Sequence, residues 1–330
     1  MDILIISPSL EPYGGVRVIL NWAKYLAWNQ HNVTLCSVNG SMSKPWFTLP
    51  DEVRVKYGWP VDLSAYNIVI ATNPDTVFWA QRKTNNLVYI CQMAEELFHE
   101  QESQAYQRAV AAASLNIPMI TVADWVKYRY HNRPAPTYVV PNGTDIEFIH
   151  HIPQQQTENP VVVVEGWNAN NEAKDTAGIV RKVVQKLKES RPIKIIGYGQ
   201  TEIEETRLFD EYYVYPSTET LASLYSRANF LLKASRYETR SLAPLEAMAC
   251  GCIPVVAIGQ GHPDLWHRYN AFVTPYEAHA YMEAIETALA LPVEERQRMK
   301  ENGRNTVRQW HDVVYQMVEP ILTQYANAIS

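Results

Sequence analysis

The fold is decided by one stretch of the chain, Ser235-Arg236-Tyr237-Glu238-Thr239-Arg240-Ser241-Leu242-Ala243-Pro244-Leu245-Glu246-Ala247-Met248-Ala249-Cys250-Gly251-Cys252-Ile253-Pro254-Val255-Val256. It predicts a loop, then a short helix, then a buried strand. Ser241 is a favourable N-cap, and Pro244 falls in the first helical turn, where its missing N–H removes no hydrogen bond. Gly251 is the expected stop of the helix, with Pro254 just beyond it.

The predicted helix begins between two carboxylates. Glu238 lies in the loop before it, and Glu246 lies about one turn inside it. Free N–H groups at a helix start, together with the positive end of the helix dipole, form an anion site. We therefore expect a phosphate near Ser241 and Leu242, with a carboxylate on either side to accept from hydroxyl groups. A nucleotide-sugar has this combination of groups.

This stretch resembles the E-x7-E signature of retaining glycosyltransferases, and family 4 in particular. The resemblance rests on the two glutamates, eight positions apart, followed by Ala-Met-Ala-Cys-Gly and a Pro-Val-Val strand. It implies an α/β protein with the GT-B fold, in which two doubly wound Rossmann-like domains face each other across a cleft. It also implies transfer of a sugar, of hexosyl type, from a nucleotide-sugar to an acceptor with retention at the anomeric carbon.

Composition limits the class of protein. A chain of 330 residues with 47% hydrophobic and 19% charged residues is typical of a soluble globular protein with room for two domains. The net charge of −6 argues against a protein that binds nucleic acid. No apolar run approaches the ~20 residues of a membrane span, and the first residues read as a strand, not as a signal peptide. The four cysteines fit reduced thiols of a cytoplasmic protein, and their spacing predicts no metal site. Gly197 and Gly199 form only a fragment of a dinucleotide fingerprint, so we expect no bound cofactor.

Short apolar runs alternate with helical patterns, which predicts mostly parallel sheets covered by helices. In the first half the predicted strands are Ile3–Ser7, Asn32–Val38, Val53–Tyr57, Asn67–Ala71, Leu87–Cys91, Met119–Val122 and Tyr138–Val140. The four-valine run Val161–Val164 restarts the alternation and is typical of a strand buried on both faces. We expect an acceptor-side domain at 1–150, a nucleotide-sugar domain at 151–310 and a final segment at 311–330. The resemblance implies that this final helix crosses back to the first domain.

Two glycines stand between the first strand and the helix expected from about residue 16. Gly14 and Gly15 allow a ligand to approach the backbone at the helix start, although a plain turn would need only one of them. The resemblance implies that such a loop faces the donor diphosphate. Arg17 is a candidate to reach a phosphate on the acceptor or sugar side, and a solvated arginine is the alternative that we favour.

Gln92 and Glu95 follow a strand at its carboxyl end, where ligands of α/β sheets gather. Many members of family 4 have a histidine near this position that contacts the donor sugar. We assign Gln92 and Glu95 to the sugar or acceptor side in its place, and interpret His99 as a surface residue.

In the second half, Lys174 matches a family lysine that binds the diphosphate, whereas Trp167 stands near the position of the usual arginine. A diphosphate needs compensating positive charge. Arg240 is a candidate substitute, and a solvated arginine is the alternative. By resemblance, Gly197 lies under the nucleotide and Tyr215 lies near its base.

The resemblance also implies the catalytic roles. Glu238 contacts sugar hydroxyls, Glu246 contacts the ribose, and Lys174 stabilises the charge that grows on the leaving diphosphate. No metal is required, since a departing phosphate oxygen can take the acceptor's proton. The acceptor, whether glycan, lipid or natural product, is not readable from the sequence. Two other functions stay open: a catalytically silent protein that binds a nucleotide-sugar or a glycan, and a sugar-nucleotide epimerase.

Overall fold

The structure is a computed structural model that describes residues 1–40, 46–150, 159–165, 176–199, 202–203, 206–236, 238–258 and 263–329. The chain divides into two compact units. The first unit is Met1–Gly143 with Asp312–Ser330, and the second unit is Thr144–His311. Phe148, which follows the first boundary, is buried in the hydrophobic core of the second unit.

The first unit contains a parallel sheet of seven strands in the order β3-β2-β1-β4-β5-β6-β7. The strands are β1 Asp2–Ser7, β2 Asn32–Ser37, β3 Val53–Tyr57, β4 Ile68–Ala71, β5 Leu87–Cys91, β6 Met119–Thr121 and β7 Thr137–Val139. All seven predicted strands are confirmed, with ends shifted by at most one residue. Continuous apolar runs such as Ile3–Ile6, which is fully buried, explain why the sequence predicts them so well.

Helices connect these strands. They are α1 Gly14–Trp28, α2 Pro74–Ala80, α3 Gln104–Ala113 and α4 Asp124–Arg129, with a short 3-10 helix at Glu95–Phe98. The end of α10 (Val293–Gln316) and α11 (Val318–Ile329) complete the first unit. The break between them falls at Met317, and Pro320 lies in the first turn of α11, where a proline is tolerated.

The terminal segment Asp312–Ser330 packs on α1 and on Gly143, the last residue of the Met1–Gly143 segment of this unit. Tyr315 stacks on Tyr25 with ring centroids 5.6 Å apart, and Glu319 pairs with His31 at 3.2 Å. A Cβ at Gly143 would come within 2.7 Å of the Tyr315 ring, so this position requires glycine.

The second unit contains a parallel sheet of six strands in the order β10-β9-β8-β11-β12-β13. The strands are β8 Val161–Glu165, β9 Lys194–Gly199, β10 Glu211–Val214, β11 Phe230–Lys233, β12 Ile253–Ala257 and β13 Phe272–Thr274. The helices are α5 Ile146–His150, α6 Thr176–Ser190, α7 Thr218–Arg227, α8 Leu242–Ala249, α9 Ala278–Ala290 and most of α10. Successive residues of β8 enter different cores, since Val161 and Val163 belong to one cluster and Val162 and Val164 to another. Both faces of the sheet are therefore covered, as the valine run predicts.

The order of strands reverses between β8 and β11. From β8 the chain builds β9 and β10 on one side, and β11, β12 and β13 on the other. In open α/β sheets such a reversal opens a crevice at the carboxyl ends of the strands, where ligands bind. The described helices include none that is long and apolar enough to cross a membrane.

Candidate functional site

The reversal point of the second sheet holds a buried cluster of charges. Lys233 is the last residue of β11, and its side chain is only 2% exposed. Its Nζ forms ion pairs with the carboxylate of Glu165, the last residue of β8, and with that of Glu238 at 3.0 Å. Burial lowers the pKa of Lys233, but the two carboxylates outweigh burial and raise it above its usual value. We call Glu165, Lys233 and Glu238 the switch-point triad.

The parallel pairing of β8 and β11 explains how this triad forms. Leu232 is in register with Val164, so the next residues along the two strands, Lys233 and Glu165, lie side by side. Glu238, which the sequence predicts as catalytic, joins them from the loop that follows β11. Ser235 Oγ donates to Glu238 Oε1 at 3.1 Å and further fixes the carboxylate.

Glu246 lies on α8 and is 4% exposed. It acts electrostatically on a buried tyrosine pair, Tyr198 and Tyr225, whose hydroxyl oxygens are 2.5 Å apart. Burial raises the pKa of both tyrosines, and the negative charges of Glu246 and Glu165 raise it further. Both phenols therefore keep their protons at neutral pH. The two predicted glutamates, Glu238 and Glu246, thus lie in the same unit. Glu246 and Glu165 of the switch-point triad both raise the pKa of this tyrosine pair.

The start of α8 has the predicted position, but within the described part of the chain its N-cap lacks the side-chain hydrogen bond that a serine there usually makes. Ser241 occupies the N-cap position and Leu242 is the first helical residue, but among the described residues the Ser241 side chain makes no capping hydrogen bond. The first N–H groups of any helix lack partners within the helix, so this end of α8 suits an anion. At the other end, Gly251 has φ of 79° and ends the helix as expected.

Arg240 is buried, which corrects the interpretation of a solvated residue. Its guanidinium forms an ion pair with Asp264 at 2.5 Å, and both side chains are 2% exposed. The guanidinium carbon also lies 5.8 Å from the centroid of the Trp310 ring. Its assignment to the donor diphosphate stays a prediction, and a donor can use this charge only by sharing it with Asp264. The predicted lysine of the diphosphate site, Lys174, lies outside the described residues, as does Trp167.

Gly197 and Tyr215 have different roles in the structure. Gly197 lies within β9 and not in a turn, and a Cβ there would come within 2.6 Å of the Phe209 ring and 2.7 Å of the Tyr212 ring. The glycine is therefore required by packing. Tyr215 follows β10 with φ of 49°, and its N–H donates to the carbonyl of Gly199 at 3.0 Å. Such left-handed backbone is rare outside glycine and is often found at binding sites.

In the first unit, the structure brings three predicted residues together at the start of α1. Gln92 Nε2 donates to the carbonyl oxygen of Gly15 at 2.9 Å, which ties the end of β5 to the helix. A Cβ at Gly15 would lie 3.2 Å from Gln92 Oε1, whereas a Cβ at Gly14 would meet nothing within 4 Å. Packing therefore accounts for Gly15, and Gly14 is the glycine that leaves open space at the helix start.

Arg17 is buried, contrary to the favoured expectation that it is solvated. It is 8% exposed, and its guanidinium carbon lies 5.3 Å from the centroid of the Trp46 ring. The ring is anchored in turn, since Trp46 Nε1 donates to the carbonyl of Leu10 at 2.9 Å. Arg17 is thus part of the packing around α1.

Glu95 is the predicted residue of the first unit with the clearest electrostatic signature. Burial and the negative charges of Asp75 and Glu96 raise the pKa of Glu95 to about 7. Glu96 differs from its neighbour, because its buried carboxylate pairs with Arg129 and accepts from the Tyr130 hydroxyl. The two adjacent glutamates thus have separate roles. Glu96 is structural, and Glu95 is able to exchange a proton near neutral pH. His99 is exposed, as expected.

A cavity of about 680 Å³ also opens in the first unit, between α2 and α3. It is lined by Trp59, Asp75, Phe78, Trp79, Arg82, Gln104, Gln107, Arg108 and Ala111. None of the predicted site residues lines it. Within the described part of the chain there is no group of three or more His, Cys, Asp or Glu side chains placed to hold a metal ion.

Residues 174–306 match the protein family described as Glycosyl transferases group 1. Solved structures match over almost the whole chain. A sucrose-phosphate synthase from Thermosynechococcus elongatus has 16% identity and a TM-score of 0.79, with 99% of this chain and 100% of that chain covered. HepE from Anabaena, in complex with UDP-glucose, has 16% identity and a TM-score of 0.72, with 98% and 100% covered. WaaG, a glycosyltransferase involved in lipopolysaccharide biosynthesis, has 15% identity and a TM-score of 0.70, with 97% and 98% covered.

These structural likenesses show that the fold is the GT-B fold, as the sequence predicts. The family match covers the segment that contains Glu238 and Glu246. No curated protein matches the chain.

Sequence reasoning missed Glu165 and Lys233. A signal for them does exist, because each is a charged residue at the last position of an otherwise apolar strand, in Val161–Glu165 and Phe230–Lys233. Only the pairing of the two strands reveals that these charges meet.

Proposed function

We propose that this protein is a retaining glycosyltransferase of family 4 that moves a hexose from a nucleotide-sugar to a hydroxyl group of an acceptor. The observation that carries the proposal is the arrangement in the second unit, where the switch-point triad lies at the reversal point of the sheet, its member Glu238 precedes the start of α8, and Glu246 lies buried within that helix. Carboxylates that accept from hydroxyls, beside a helix start that accepts an anion, fit a sugar linked to a diphosphate.

The proposed roles follow the chemistry of the donor. Glu238 accepts from hydroxyls of the transferred sugar, and Glu246 accepts from those of the ribose. The amides at Ser241 and Leu242, with Lys174 and Arg240, stabilise the diphosphate as negative charge grows on it. Tyr215 lies near the base and Gly197 supports the strand beneath the nucleotide. We assign Gly14 and Gly15 to the donor diphosphate, and Arg17, Gln92 and Glu95 to the sugar or acceptor side.

In the proposed reaction, the bond between the anomeric carbon and the phosphate oxygen breaks while the acceptor oxygen bonds to the same face of that carbon. The acceptor's proton passes to the departing phosphate oxygen. This mechanism needs no metal ion. The HepE structure with UDP-glucose makes UDP-sugars the first donors to test.

A thermal-shift screen tests the proposal. The ligands are UDP, GDP, ADP, dTDP and CDP, each with and without a linked sugar. A ligand at a hundred times its Kd adds about 2.7 kcal/mol to the free energy of unfolding, which raises the Tm by roughly 5 °C. We expect one base to give a clear shift, and no shift with any of the five would contradict the proposal.

Glu246→Gln separates specific binding from a general effect of the ligand. Loss of a charge-assisted hydrogen bond to the ribose should weaken binding of both the diphosphate and its sugar derivative by about 10- to 100-fold. The matched control is Glu283→Gln, which changes an exposed residue of α9 and should leave both affinities unaltered. Equal affinities for wild type and Glu246→Gln would remove Glu246 from the site.

A silent binding protein and an epimerase give other results. A silent binding protein would show the thermal shift without consuming the donor. An epimerase would convert the donor sugar into its epimer without releasing the diphosphate. Both outcomes are read from the same incubation by analysing nucleotide and sugar products.

A further inference from the structure

Lys233 is placed to orient Glu238. Its Nζ and the Ser235 hydroxyl both contact Glu238 Oε1, at 3.0 Å and 3.1 Å. Lys233 is 2% exposed and Ser235 is fully buried, so neither donor exchanges freely with water. The backbone of Lys233 is fixed as well, because the Tyr281 hydroxyl donates to its carbonyl oxygen at 3.0 Å. One oxygen of the predicted catalytic carboxylate is thus held by two rigid donors.

Glu165 completes the arrangement from the neighbouring strand. Its carboxylate pairs with the same ammonium, and it is 20% exposed where Glu238 is 10% exposed. A buried ammonium between two carboxylates keeps its charge, and it is drawn towards both. Glu165 therefore restrains the Lys233 side chain at the reversal point, where it can reach Glu238.

Stability alone does not account for this cluster. A buried ion pair contributes little net stability compared with apolar side chains of similar volume, since desolvation offsets the attraction between the charges. Lys233 and Glu165 both end strands made otherwise of apolar residues, so an apolar side chain would continue each pattern. The position of the charges, directly beside Glu238, is the feature that calls for a function.

We propose that Lys233 is a positioning residue that holds the Glu238 carboxylate in the orientation needed to bind the sugar of the donor, with Glu165 as its counter-charge. This inference rests on the proposed function. It assigns Lys233 to recognition of the sugar and not of the nucleotide, because Lys233 acts through Glu238 while Glu246 is assigned to the ribose.

The first test compares Lys233→Met with Lys194→Met. Lys194 is the first residue of β9, whereas Lys233 is the last residue of β11, so the two lysines lie at opposite ends of the parallel strands. Lys194 pairs with Glu211 at 2.5 Å, so the control also removes one lysine ion pair. The ligands are the diphosphate and the nucleotide-sugar that give the largest thermal shift of the wild type, beginning with UDP and UDP-glucose. Affinities are measured by titration calorimetry, and kcat and KM by release of the diphosphate.

For Lys233→Met we expect diphosphate affinity within threefold of wild type, nucleotide-sugar affinity reduced at least tenfold and kcat reduced at least a hundredfold. Lys194→Met should match wild type in all three quantities. A Lys233→Met protein that binds the nucleotide-sugar and turns it over like wild type would overturn the inference.

Removal of Lys233 alone leaves two carboxylates without their ammonium, and the single variant could fail to fold. The double variant Lys233→Met with Glu165→Gln removes one of those charges and keeps the test valid. If the triad only stabilises the fold, the double variant regains both Tm and nucleotide-sugar affinity. If Lys233 positions Glu238, the Tm recovers while the loss in nucleotide-sugar affinity persists, and recovery of both would overturn the inference.

The two proposals fail in different ways. If no diphosphate or nucleotide-sugar binds the wild type, the proposed function fails and this inference fails with it. If the wild type binds and turns over a donor while the double variant does so equally well, the proposed function stands and only the role of Lys233 is lost.

Discussion

At the scale of single residues, Glu95 offers a test by pH. Because its pKa is raised from 4.5 to about 7, the folded protein holds a proton here that the unfolded chain releases between these values. The free energy of unfolding should therefore fall as the pH rises from 4.5 to 7. Glu95→Gln removes this loss and should stabilise the protein above pH 7 by up to about 3 kcal/mol, with no gain below pH 4.5.

Denaturant unfolding of wild type and Glu95→Gln at pH 4.5, 6 and 8 measures this difference. Glu100→Gln is the control, because Glu100 is exposed and its replacement should give no difference that grows with pH. A constant difference between Glu95→Gln and wild type across this range would show that Glu95 does not titrate near 7.

The residues of the candidate site were predictable where a local pattern carries them. Glu238 and Glu246 are predicted from their spacing of eight positions and from the helix that begins between them. The partner of Glu238 could not be predicted in this way, since Lys233 and Glu165 are 68 positions apart and meet only through the register of β8 and β11. The sequence left open whether Arg240 is solvated for the same reason, because its buried partner Asp264 lies on a later segment.

At the scale of elements, α8 ends in a hydrogen-bonded motif that depends on Gly251. The N–H of Gly251 donates to the carbonyl of Met248 at 3.0 Å, and the N–H of Cys252 donates to that of Ala247 at 2.9 Å. This is the Schellman arrangement, which needs a left-handed residue at the Gly251 position. Gly251→Ala should lower the free energy of unfolding by about 1–2 kcal/mol.

Chemical denaturation checks this expectation, with Gly14→Ala as the control. Gly14 lies in the first turn of α1, and an added Cβ would meet nothing within 4 Å, so stability should be kept or slightly raised. A Gly251→Ala protein as stable as wild type would mean that another C-terminal geometry replaces the motif at no cost.

The glycines also show where sequence reasoning about elements ends. Gly251 was readable as a helix stop from its place between an apolar helix and a proline. Gly197 was not, because the pattern is the same whether a ligand or a side chain fills the space beside it. In the structure Phe209 and Tyr212 fill that space. Likewise, Gln92 fills the space beside Gly15, whereas the space beside Gly14 is open.

At the scale of the whole molecule, the sequence predicts two parallel-sheet units, whereas no local pattern marks the boundary between them. Apolar runs buried on both faces mark the strands, and these form by local pattern and by pairing with their neighbours. The boundary at Gly143 depends instead on the core in which Phe148 packs, and long-range contacts determine this packing. Asp312–Ser330 groups with the first unit, and the return of a final helix to the first domain stays a prediction.

The central claim is that this protein transfers a sugar with retention, using Glu238. Incubation with UDP-glucose, GDP-mannose, ADP-glucose or dTDP-glucose in water lets water act as acceptor, and proton NMR shows which anomer of the free sugar appears first. We expect one of these α-linked donors to be consumed, with the α-anomer formed first, and turnover to fall at least a hundredfold in Glu238→Gln. Consumption of no donor, first formation of the β-anomer, or unchanged turnover in Glu238→Gln would contradict the account.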